Sequence, residues 1–267
     1  MKNRLIKTLN IKRFKLVLLL EGLLVGILAG LVIVGYRICL TNGALWLQRI
    51  LAYCKQSIFT IIIWFVILFV IALVVTKLLD WESLISGSGI PQLEGELAGK
   101  IDAKWWRVLI AKFFGGFLAN FSGLALGREG PSIQLGAMVG KGIGKVLKRG
   151  KTEERYLLTC GASAGLAAAF HAPLAGVMFA LEEVHKHFSA PLLISVMTSS
   201  IAADYLMSSI LGMAPVFSFN IHGTLPTQYY WMVIILGIIL GLLGAFYNKA
   251  LLFVQSLYNH SKHLNNY

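Results

Sequence analysis

The chain has 267 residues, of which 57% are apolar and only 13% charged, against roughly 25% charged in soluble proteins. With a mean hydropathy of +0.74 and apolar runs of about 20 residues, it reads as an integral membrane protein. This excludes a soluble enzyme, a disordered tail and a disulfide-built secreted scaffold. The formal charge of +12 comes from 24 Lys and Arg against 12 Asp and Glu. Lys2, Arg4, Lys7, Lys12, Arg13 and Lys15 precede the first apolar run, and Lys141, Lys145, Lys148, Arg149, Lys151 and Arg155 form a second patch. Both flank apolar segments, so they are expected to face the cytoplasm, with the N-terminus inside; an arm binding anionic lipid or nucleic acid is the alternative for residues 1–15. Cys39, Cys54 and Cys160 lie in or beside apolar segments, which suits small buried hydrophobes and implies neither disulfides nor redox chemistry.

The first span is expected over about Leu16 to Arg37, broken by Glu21 and carrying Gly22, Gly26, Gly30 and Gly35 as a small-residue stripe for close helix contact. It shows no cleavage site of signal-peptide type and reads as retained. Phe59 to Val75 is the cleanest membrane helix. Ile90 to Leu97 is too short to cross a bilayer and reads as re-entrant. Trp105 to Leu126 is long enough but carries Arg107 and Lys112; Ser132 to Leu147 carries Lys141 and Lys145. Tyr156 to Leu181 is expected to split at His171-Ala172-Pro173 into two half-length helices. Leu192 to Met213 encloses Asp204, Ala214 to Gln228 reads as a long loop, and Tyr229 to Tyr258 as a long, tilted span.

Three breaks share one construction, a glycine or small residue followed by proline: Gly87-Ser88-Gly89-Ile90-Pro91, Gly127-Arg128-Glu129-Gly130-Pro131 and His171-Ala172-Pro173. Proline is expected at the first helical position, where its missing N–H costs nothing. Each break then presents a helix N-terminus inside the membrane, whose free amides and partial positive charge favour an anion. Glu129 is an intramembrane carboxylate at such a terminus, and its neighbour Arg128 is poorly placed to pair with it.

In order and spacing, GSGIP at Gly87–Pro91, GREGP at Gly127–Pro131 and GASAGLAAAFHAPLAGVMFALEE at Gly161–Glu183 resemble the motifs of the CLC chloride channel and chloride/proton exchanger family. The resemblance runs to Tyr258 and covers only the first half of a CLC subunit. The second half of that family is an inverted repeat with a GxFxP motif and a tyrosine at the anion site. The resemblance implies that Ser88, with Gly89 and Ile90, contacts a dehydrated anion from the cytoplasmic side, and that Gly130, Pro131, Ser132 and Ile133 supply the facing helix start. Glu129 matches the gating glutamate that competes with chloride and carries protons. Glu183 matches the inner proton-transfer glutamate of exchangers. Serine at position 88 is similar to chloride-selective members.

The implied fold is all-α and polytopic, a CLC-type bundle of tilted and broken half-membrane helices forming the first of two inverted repeats. A basic cytoplasmic arm is expected over 1–15, the membrane domain over 16–258 and a polar tail over 259–267. The expected function is chloride transport, as a proton-coupled exchanger when complete; alternatives are a CLC-type channel, or an inactive half-subunit or membrane scaffold. Expected partners are chloride, protons, the bilayer of the cell's inner or plasma membrane, the missing C-terminal half, and a second complete subunit in a homodimer. No enzyme activity, cofactor, metal or nucleic acid is implied. A rival from another class is an intramembrane serine protease built on Ser163 and His171, but residues eight apart on one helix lie roughly 12 Å apart.

Overall fold

The computed structural model describes residues 2–55, 57–213, 223 and 226–260, with side chains from residue 16 to residue 257. Among these, every regular element is helical: α1 (Lys2–Cys54), α2 (Ile58–Trp81), a 3-10 turn (Ser83–Ile85), α3 (Ile90–Leu97), α4 (Trp105–Phe121), α5 (Glu129–Val146), α6 (Lys151–Phe170), α7 (Pro173–Phe179) with a π-helical turn (Ala180–His185), α8 (Ala190–Leu211), a second 3-10 turn (Thr227–Tyr229) and α9 (Trp231–His260). The chain divides into two compact units, Met1–Val216 and Phe217–Tyr267. Four stretches among the described residues are long and apolar enough to span a bilayer: Leu16–Cys54, Ile58–Trp81, Ala190–Leu211 and Thr227–Leu257. In the second unit, α9 is such a span. The expected 214–228 loop and 259–267 tail fall largely outside the described residues.

The core of the first unit is built by backbone contact between small residues. Helices α5 and α6 meet where a Cβ on Gly136 would sit 3.1 Å from Gly165 Cα, and one on Gly165 3.2 Å from Ile133 Cα. The stripe on α1 lies against α8: a Cβ on Gly22 would be 2.6 Å from Ser195 O, and one on Gly30 3.0 Å from Ala203 Cα. In lipid, where apolar side chains gain little by leaving the tails, such close approach is what holds helices together. Leu135, Leu157, Cys160, Val196 and Ala203 fill the space around these crossings and are fully buried.

Two expectations are corrected. Helix α1 does not end near Arg37 but continues to Cys54, because no proline interrupts residues 38–54 and Arg37 finds a partner: its Nη1 lies 2.9 Å from His171 Nε2. Proline also takes the first helical position only at Pro173 in α7; Pro91 is second in α3 and Pro131 third in α5. All these positions lie in the first turn, whose N–H groups have no intrahelical partner, so each accepts proline equally well. The split at residues 171–173 is present: His171 caps α6 in the left-handed region with φ 55°, and α7 restarts at Pro173.

Candidate functional site

The loop Ser83–Gly89 and the start of α5 meet at one point. A Cβ on Gly130 would lie 2.6 Å from Ser88 O and 3.0 Å from Ser88 Cα, so only a residue without a side chain allows this approach. Beside the contact is a cavity of about 510 Å³, lined by Gly87, Ser88, Lys112, Glu129, Gly130 and Pro131 with apolar walls from Val75, Leu79 and Leu126. The two glycine- and proline-framed breaks therefore open on the same space.

Each donor at this space follows from local chemistry. Ser88 Oγ accepts the Ile90 N–H at 3.3 Å, which leaves its own proton to donate outward. Gly89, at φ +90°, caps α3 in a conformation that other residues rarely adopt. On α5, the Ser132 N–H and hydroxyl both return to Arg128 O, at 3.0 and 2.8 Å, and Pro131 has no N–H. The unengaged amides of that first turn are thus those of Glu129 and Gly130. Ile133 is buried in the core, and its side chain does not line the cavity. Half-buried Ile90 packs against the same core cluster.

Two residues whose partners the sequence does not reveal fix the loop from behind. Buried Lys112 on α4 donates from Nζ to Ile85 O at 2.8 Å and to Gly87 O at 2.7 Å. Gln134 on α5, also buried, donates from Nε2 to Leu84 O at 2.8 Å. In a trans peptide the N–H points opposite to the preceding carbonyl, so drawing Gly87 O to Lys112 turns the Ser88 N–H the other way. The ammonium adds a fixed positive charge to the wall of the cavity. Hydroxyl, unpaired amides, helix termini and one buried cation make a cradle for a small anion.

Glu129 reaches back over this cradle. Its Oε2 would lie 2.5 Å from a Cβ on Gly127, so the glycine leaves room for the carboxylate. Among the described residues Glu129 forms no ion pair, with Arg128 or any other cation. Glu182 and Glu183 lie elsewhere, exposed on the π-helical turn, and do not line the cavity. Lys186 pairs with Glu94 at 3.4 Å, and among the described residues Glu183 has no ion pair.

Other charges are used for structure. Lys141 donates to Glu96, to Asp102 Oδ1 at 2.7 Å and to Ala103 O at 2.7 Å, tying the α3–α4 connection to α5. Arg149 pairs with buried Glu21. His171, held by Arg37, has Asp204 Oδ1 3.3 Å from its Nδ1, while Ser163 is fully buried and its hydroxyl has no partner. No Ser163–His171 pair forms. Among the described residues no group of His, Cys, Asp and Glu has the geometry for a metal ion.

A family model described as voltage gated chloride channel matches residues 69–267. The H(+)/Cl(-) exchange transporter ClcA of Citrobacter koseri is 34% identical over 255 residues, covering 91% of this chain and 52% of the relative. Its namesake in Vibrio parahaemolyticus is 39% identical over 173 residues, 64% of this chain and 37% of the relative. Among solved structures, that of a slow cyanobacterial Cl-/H+ antiporter superposes with a TM-score of 0.83 at 32% identity, covering 91% of this chain and 58% of that chain. A CLC-type fluoride/proton antiporter has the same fold, with a TM-score of 0.70 at 23% identity over 92% of this chain and 60% of that one. The chain spans about half the length of the curated relatives it matches.

Proposed function

The chain belongs to the voltage-gated chloride channel family, and on that premise we propose that it is the anion-handling first half of a transporter that exchanges chloride for protons. The observation that carries this reading is the apposition of Ser88 and Gly130, which puts two helix starts, a free hydroxyl proton and an unpaired carboxylate on one cavity. Chloride sits between Ser88, at the Gly89–Ile90 start of α3, and the free Glu129 and Gly130 amides at the start of α5, with Pro131 beside it and Ser132 and Ile133 holding that turn from behind; the donors hold it strongly enough to replace its water and weakly enough to leave. Glu129 competes with it when ionised and withdraws when protonated, so that binding of a proton to Glu129 and binding of chloride favour one another. Exposed Glu183 is the proton's station on the other side. The relatives' printed exchanger names support the same direction.

Residues 1–15 are the basic arm on the cytoplasmic face, 16–258 the membrane domain and 259–267 the tail, in a plasma or inner membrane. The complete subunit includes a complementary second segment of similar length and works as a homodimer. It moves ions without covalent catalysis and without a cofactor. The test is co-reconstitution of this chain with that segment in liposomes under a chloride gradient, with external pH recorded. Chloride-driven proton movement supports exchange; chloride flux with no proton movement supports a channel; no saturable chloride flux overturns the reading.

A further inference from the structure

Away from the anion cavity, the first unit carries an apolar groove of about 310 Å³ between α1, α4 and α5, with almost no polar atom on its walls. Leu24 and Leu28 of α1 form one side, Gly142, Ile143 and Val146 of α5 with its C-cap Leu147 the other, and Trp105 of α4 closes it. Gly142 makes the groove possible, since a Cβ there would lie 2.8 Å from the indole Cε3 of Trp105. Tryptophan at the start of a membrane helix is characteristic of the headgroup level, where the ring has one apolar and one wet side.

The rim is basic. Lys104 directly precedes Trp105 as the N-cap of α4, and Lys148 directly follows Leu147 beyond the end of α5. Both are exposed, and neither has an ion-pair partner among the described residues. Nearby acids are engaged, Glu21 by Arg149, Glu154 by Lys145 at 3.2 Å, and Glu96 and Asp102 by Lys141, while Glu153 accepts the Gly150 N–H at 3.2 Å. Positive charge is therefore left over beside a cleft that suits only hydrocarbon.

We propose that this groove is a binding site for an anionic phospholipid, with an acyl chain along α5 between Leu28 and Trp105 and the phosphate on Lys104 and Lys148. Hydrocarbon contact alone does not select one lipid in a bilayer, because every tail offers it. Selection comes from the two unpaired ammonium groups, each contributing about fivefold preference for a negatively charged headgroup. The site is separate from the anion cavity, so its occupancy is read without any measurement of flux.

The experiment uses the full chain reconstituted with brominated phosphatidylglycerol or brominated phosphatidylcholine, both diluted in non-brominated phosphatidylcholine. The quenching contributed by Trp105 is the difference between the native protein and Trp105→Phe. Brominated phosphatidylglycerol should reach half-maximal quenching at a mole fraction at least about fivefold lower than brominated phosphatidylcholine. A Lys104→Gln, Lys148→Gln double variant, which alters only exposed side chains, should quench equally with both lipids. Native mass spectrometry provides a readout that does not depend on Trp105→Phe folding: bound phosphatidylglycerol should be retained by the native chain and lost from the double variant. Equal quenching by the two lipids in the native protein means ordinary annular contact and overturns the proposal. Absence of any Trp105 contribution in a folded variant means that protein covers the groove, and overturns it as well.

Discussion

Gly130→Ala tests the apposition on which the proposed anion site depends. The added methyl would lie 2.6 Å from Ser88 O, 3.0 Å from Ser88 Cα and 3.0 Å from Ser88 Cβ, whereas ordinary contact begins near 3.4 Å. Two of these three atoms are backbone, so no rotamer change relieves the clash, and α5 must part from the Ser88 loop by about 0.8 Å. The loop resists through the Lys112 and Gln134 hydrogen bonds to Leu84, Ile85 and Gly87 carbonyls. Overpacking of this kind costs about 1–3 kcal/mol of stability. A displacement approaching 1 Å of groups that must converge on one ion lowers turnover by about 100-fold. Gly87→Ala is the control: at φ +67° with nothing within 4 Å, it carries backbone strain of about 1–2 kcal/mol but pushes on nothing. Chloride efflux from liposomes holding the complete assembly, with melting temperature measured in parallel, separates the two. Gly130→Ala should lose far more flux than Gly87→Ala at comparable stability. Flux near the native rate in Gly130→Ala would refute the claim that this contact builds the site.

Glu183→Gln should keep chloride flux and lose proton flux, since Glu183 is exposed and outside the cavity; continued chloride-driven proton movement would make it structural. Gly26→Leu should lower the melting temperature of the detergent-solubilised protein sharply, because its Cβ would lie 2.8 Å from Ser199 Cα on α8 with no free space beyond. The hydrogen bond and positive charge of Lys141 hold the Asp102 carboxyl below its ordinary value. A depressed folded value means that the stabilisation is present above the unfolded value of about 3.9 and is lost as pH falls through the folded one. Asp102→Asn should therefore lower the melting temperature near neutral pH and make progressively less difference as pH falls from about 3.9 through that folded value.

The breaks were legible in the sequence because glycine and proline restrict the backbone locally: α3 occupies the expected Ile90–Leu97, and α6 and α7 separate at His171–Pro173. The length of α1 was not, since a polar residue such as Arg37 reads as the end of a span until its partner is known, and that partner is 134 residues away. The same limit applies to the supports of the anion site. Lys112 stands out as a membrane-level charge, but its acceptors are carbonyls 25 and 27 residues earlier, and no sequence pattern marks a carbonyl as waiting for a lysine. Gln134 gave no signal at all: one amide in a glycine-rich helix becomes informative only when that helix is seen beside Leu84, 50 residues before it. That Ser88 and Glu129 lie at helix starts was legible because each carries its own frame of glycine and proline, and both line one cavity.

The most direct test of the account is simultaneous recording of chloride and proton flux in Glu129→Gln, in the complete reconstituted assembly. Glutamine has the shape of the protonated side chain but neither its charge nor its proton. Chloride flux should persist or rise while proton movement in response to a chloride gradient disappears. Proton coupling at the native ratio in Glu129→Gln would contradict it.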